Sequence, residues 1–158
     1  MTLQVAAELQ TTVITIVSFG FDTKSGGSFL KDSRDSKGIH IVDLRQSLVK
    51  DPATSIGHGE DGTHLQTQRV VFGQGRFLEV MKGLVESVVT DRHTVIGLGC
   101  RQGIHRSDTC ARTLECCLNA VLHEDGSRAF NAKQFSMSAS YGWLQILSTK
   151  PFATTFEP

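Results

Sequence analysis

The stretch HTVIGLGCRQGIHRS, residues 93–107, decides the fold. It opens on the apolar, β-branched run His93–Leu98, which reads as a strand ending in Gly99-Cys100. After a short loop, apolar residues recur at helical spacing: Cys110, Leu114, Cys117, Val121 and Leu122. This spacing predicts a helix from His105 to His123, with Gly126 just past its end. Upstream, Phe77, Met81, Leu84 and Val88 predict a second helix over 76–89. Thr12–Phe19 (TVITIVSF) is almost continuously apolar, as expected of a strand buried on both faces, and Ile39–Leu44 reads as another. Lys133–Ala139 is read as a further strand. The polar, glycine-bearing stretch 22–38 and the Gly/His/Asp-rich stretch 46–67 read as loops.

Strands alternating with helices predict an α/β domain. Its mostly parallel sheet would have about four to five strands flanked by helices. Residues 13–140 are assigned to this domain, 1–12 to an N-terminal extension and 141–158 to a tail. In such sheets, ligands bind beyond the carboxyl ends of the strands. Attention therefore falls on Ser18 and Gly20, on Asp43 and Arg45, and on Cys100.

Composition removes several classes. The 158 residues carry 16 Lys plus Arg against 16 Asp plus Glu, so bulk charge gives no attraction to nucleic acid or an anionic membrane. No apolar run reaches the roughly 18 residues of a transmembrane helix. Met1–Gln10 lacks the basic start and apolar run of a secretion signal, so a cytoplasmic location is expected. Cys100, Cys110, Cys116 and Cys117 form no CxxC pair and fit a reducing compartment. The six histidines, His58 and His64 among them, show no metal-ligand spacing, so no metal and no cofactor is expected.

The loop Cys100–Ser107 carries the functional signal. A tight strand-to-helix loop turns successive N–H groups toward one point, and the helix start adds its positive dipole end. Gly103 permits close backbone approach, Arg106 offers a bidentate cationic donor, and Arg101 and His105 add charge. Cys100, Arg101, Gln102, Gly103, Ile104, His105, Arg106 and Ser107 are therefore the candidate residues for binding a phosphate-type anion. Arg106 is expected to point to solvent and to contribute little to the core. The pattern C-x5-R-S also matches the phosphate loop of protein tyrosine phosphatases. The alternative is thus a cysteine-dependent phosphatase, with Cys100 as nucleophile and Asp43 as the candidate general acid. Asp61 is a further acid candidate, and Asp91 lies at the wrong end of its strand.

The order SFGF (18–21), VDLR (42–45), GRFLEV (75–80) and IGLGCRQGIHRS (96–107) resembles the C-terminal domain of the RapZ family of bacterial RNase adapters. The resemblance implies a phosphofructokinase-like α/β topology and a non-enzymatic sensor or adapter. Its pocket would take a phosphate-bearing metabolite, an amino-sugar phosphate in the family. It also implies a homo-oligomer with RNA and a ribonuclease as partners. Cys100, Gly103, His105, Arg106 and Ser107 match the family loop; Ser18, Gly20, Asp43 and Arg45 would line the pocket, and Arg76 matches an arginine opening a helix. Arg101-Gln102 stand where the family has Thr-Gly, and residues 1–158 contain no P-loop, so nucleotide binding is not implied.

Overall fold

A computed structural model describes residues 10–34, 36, 38–50 and 61–137. The chain runs β1 (Thr12–Gly20), α1 (Lys24–Ser33), β2 (Ile39–Asp43), α2 (Leu44–Ser47), α3 (Leu65–Phe72), α4 (Phe77–Val89), β3 (Val95–Cys100), α5 (Arg106–Asn119) and β4 (Phe130–Ser136). The α/β expectation holds. Among the described residues the four strands form one all-parallel sheet in the order β2-β3-β1-β4.

Alternation along the strands divides the core. Ile14 and Ile16 of β1, Ile96 and Leu98 of β3, and Ala132 of β4 pack under α2, α3, α4 and α5, against Leu44, Val71, Leu84 and Leu114 among others. Val17, Phe19 and Met137 form the opposite layer with Phe29 of α1. The β1–β2 connection crosses β3, and the β3–β4 connection crosses β1 in the opposite direction. Right-handed crossovers running in opposite directions must lie on opposite faces, which is why α1 and α5 do. The loops leaving β1 and β3 thus diverge at the carboxyl end of the sheet, where α/β folds form ligand crevices. Strand register places Gly20 beside Cys100 and Asp43 beside Gly99 at that end.

Several sequence expectations need correction. Stretch 22–38 is not a continuous loop, because α1 occupies its middle. Thr23 caps that helix, its Oγ1 accepting from the Gly26 N–H at 3.1 Å. Gly26 looks like a helix breaker, but a Cβ there would overlap the Gly20 carbonyl, so the glycine serves close packing. Stretch 46–67 begins with the end of α2 and ends with the start of α3, while residues 51–60 lie outside the described ones. The helix after β3 stops at Asn119 instead of His123. Its buried stripe is Cys110, Ala111, Leu114 and Leu118; Cys117, Val121 and Leu122 are exposed. The chain leaves this helix to make an antiparallel bridge, Leu122 to Arg128, and Gly126 turns that hairpin with φ +82. β4 begins at Phe130 rather than Lys133. Thr12, assigned to the extension, opens β1, and the tail 141–158 lies outside the described residues. No helix among the described residues is long and apolar enough to cross a membrane.

Candidate functional site

The loops after β1 and β3 are joined by their backbones. The Phe21 N–H donates to the Cys100 carbonyl at 2.9 Å, and the Asp22 N–H to that of Arg101 at 3.1 Å, extending the ladder past the strand ends. Gly103 sits at φ +78, and a Cβ there would lie 2.5 Å from the Gly20 nitrogen and 2.6 Å from the Phe19 carbonyl carbon. A Cβ on Gly20 would in turn lie 2.5 Å from the Gln102 carbonyl carbon. Both glycines are therefore demanded by backbone-to-backbone contact, and at Gly103 the left-handed conformation adds to the demand.

The loop winds around the Cys100 thiol. Its sulfur accepts from the Gly103 N–H at 3.2 Å and lies 3.2 Å from the Ser107 hydroxyl. Cys100 is only 3% exposed and Ser107 fully buried, so the pair knots the loop to the first turn of α5. One turn later, burial pushes the Cys110 thiol up to about 12, with the neighbouring Cys100 adding to the shift. Cys110 is a packing residue at any physiological pH.

Arg106 does not point to solvent. It is 4% exposed and donates through Nη1 to the Leu48 carbonyl at 2.7 Å, tying α5 to the end of α2. His105 is buried beside it, Ile104 half-buried, and Gly103 buried; only Arg101 and Gln102 of the loop are exposed. The buried residues shape the loop, and the exposed ones present its outer surface.

Around that surface lies a charge cluster. Asp43 caps α2 by accepting from the Arg45 N–H at 2.9 Å, and the Arg45 guanidinium closes back on the same carboxylate, with Nη2 at 2.7 Å. This hydrogen bonding holds the Asp43 carboxyl below the usual carboxylate range, and the charge of Arg106 acts in the same direction. Arg45 also stacks on Phe21, with Cζ 3.9 Å from the ring centroid. Asp22 receives Arg101 Nε at 3.1 Å; the hydrogen bond to Asp43 is what chiefly raises the pKa of Arg45, and the charge of Asp22 adds a little. Two exposed arginines, Arg45 of α2 and Arg101 of the loop after β3, thus each hold a carboxylate at this end of the sheet.

Other predicted residues separate from this cluster. Ser18 is fully buried, and its hydroxyl donates to Asp108 at 3.4 Å. Arg76 opens α4, pairs with Glu79 at 3.1 Å, and lines a groove of about 260 Å³ with His40 and Val42 beside β2. The Gly73–Arg76 turn is structural: Gln74 straps the chain by bonding both the N–H and the carbonyl of Lys50. Asp61 accepts from its neighbour Thr63, which holds its carboxyl low. His58 lies outside the described residues, and His64 precedes α3. Among the described residues no three His, Cys, Asp or Glu side chains come together as metal ligands.

Sequence reasoning missed Asp108, Gln134, Phe21 and Asp22. Asp108 is 1% exposed and receives Arg112 Nε at 2.9 Å and Gln134 Nε2 at 2.8 Å, joining α5 to β4. Its i,i+4 spacing to Arg112 in the first turns of a helix was the available signal. These features define the class as an α/β domain with a parallel sheet whose loops after β1 and β3 meet at Gly20 and Gly103. No protein-family model matches the sequence, and a search of curated proteins finds no significant match.

Proposed function

We propose that the carboxyl end of the sheet binds a small oxyanion, of the kind a phosphorylated metabolite carries, and that the domain is a sensor or adapter rather than an enzyme. The observation that carries this reading is two exposed arginines at this end, Arg101 held by Asp22 at 3.1 Å and Arg45 held by Asp43 at 2.7 Å. Both guanidiniums already hold carboxylates, the kind of group a phosphate would replace. Exposed pairs such as Arg101–Asp22 contribute only about 0–1 kcal/mol, so a doubly charged phosphate competes well for both arginines. The first turn of α5 adds its positive end. Resemblance to the RapZ family favours the same chemistry, and zero net charge favours a small anion over a long polyanion.

Three features weigh against phosphatase chemistry. Cys100 is only 3% exposed, Arg106 is buried with Nη1 on the Leu48 carbonyl, and Asp43 is held ionised by Arg45 when a general acid must carry a proton. The test is Asp22→Asn, which frees Arg101 and leaves Arg45 on Asp43. Calorimetry with inorganic phosphate should give tighter binding by about tenfold, and Arg101→Ala weaker binding by a similar factor. Unchanged affinity in both variants contradicts the site; turnover of an aryl phosphate abolished by Cys100→Ser would reinstate the phosphatase.

A further inference from the structure

At the opposite, amino end of the sheet, a cavity of about 330 Å³ opens where β1, β3 and β4 begin and α4 ends. Ile14, Val88, Val89 and Phe130 give it apolar walls. Its only charged or titratable lining is Arg92 and His93, and no carboxylate lines it among the described residues. The volume falls at the small end of the roughly 300–1,000 Å³ typical of ligand pockets.

Arg92 has φ 58, the one left-handed residue other than glycine among those described. It ends α4 in a turn that the His93 N–H closes onto the Ser87 carbonyl at 3.4 Å. Glycine or asparagine suits such a helix-ending position best. The turn thus does not account for a long cationic side chain, and Arg92 has no ion-pair partner among the described residues. His93 is held in place beside it, with Nδ1 3.1 Å from the Ser87 hydroxyl and its ring 5.0 Å from that of His40. An apolar cavity with the exposed, unpaired Arg92 in its lining and an oriented imidazole beside it suits a ligand with an apolar body and one anionic head.

We propose that this cavity binds a small organic anion, its hydrocarbon part against Val88, Val89 and Phe130 and its head on Arg92. The site lies at the other end of the sheet from Arg45 and Arg101 and stands or falls independently of them. The experiment titrates the intact chain with hexanoate and follows backbone amide NMR signals. Saturable shifts are expected at Thr12, Val89, Arg92, Thr94 and Phe130, with hexan-1-ol and inorganic phosphate weaker by about tenfold or more. Arg92→Gly should raise the melting temperature, because it relieves the left-handed backbone, while weakening hexanoate binding by about tenfold. Arg92→Lys should retain most of the binding and Arg92→Gln little. The proposal is overturned if hexanoate gives no saturable shift, if hexan-1-ol binds equally well, or if Arg92→Gly and Arg92→Gln bind as tightly as the parent.

Discussion

The two ends of one sheet are built on different principles. At the carboxyl end, backbone meets backbone: Gly20 and Gly103 lie in contact, the ladder runs on past the strands, and Cys100 is wrapped by its own loop. At the amino end, side chains do the shaping: Ile14, Val88 and Phe130 wall a cavity, Arg92 and His93 join its lining, and the His93 ring lies 5.0 Å from that of His40. A backbone-closed region tolerates no added atom, because neither partner can rotate away. A side-chain-built region adjusts, and its properties follow charge more than volume.

The sharpest way to break this contrast is a single methyl group. Gly103→Ala meets both a left-handed backbone and two backbone atoms, and should destabilise by more than ~2 kcal/mol in urea unfolding. Gly126→Ala has a similar φ of +82 but nothing within 4 Å, and should cost only about 1 kcal/mol. Equal losses would show that conformation alone, and not the contact of two loops, makes Gly103 necessary.

Arg106→Ala comes next. It leaves the buried Leu48 carbonyl without its donor, a loss of about 1–3 kcal/mol, visible as a lower urea midpoint. A neutral effect would return Arg106 to the solvent-facing role expected from its place at a loop–helix junction. The smallest effect belongs to the amino end. Burial lowers the pKa of His40, the charge of His93 lowers it further, and Asp91 partly offsets both. A group whose folded pKa lies below its unfolded value stabilises the fold fully only above the unfolded value. Stability should therefore fall as pH drops below about 6.5, through the folded pKa. His40→Gln should flatten that part of the stability profile, and an unaltered profile would remove the histidine pair as its source.

The same contrast explains what was legible in the sequence. The continuous apolar runs of β1 and β3 and the spacing of Phe77, Met81, Leu84 and Val88 announced the layers directly. The strand-to-helix turn at Cys100–Ser107 was legible from its own residues, but the contact that demands Gly103 lies with Phe19 and Gly20 of β1. The helix α1 was hidden because the pair Gly26-Gly27 reads as a loop, and nothing in the sequence shows that Gly26 admits the Gly20 carbonyl. Arg106 was placed correctly in the chain and wrongly in space, since its acceptor is a carbonyl at Leu48 that no periodicity reveals. The Asp22–Arg101 pair, the Asp108–Gln134 bond and the His40–His93 stack join distant parts of the chain, and only the sheet register brings them together.

The central claim is that the carboxyl-end loops cradle an oxyanion without catalysing its chemistry. Titration of the amide NMR spectrum with inorganic phosphate tests it most directly. Saturable shifts at Asp22, Arg45 and Arg101 through Ser107, with the Arg92–Thr94 signals unmoved, are the predicted result. An absence of saturable change at residues 101–107, or shifts confined to the amino end of the sheet, would contradict it.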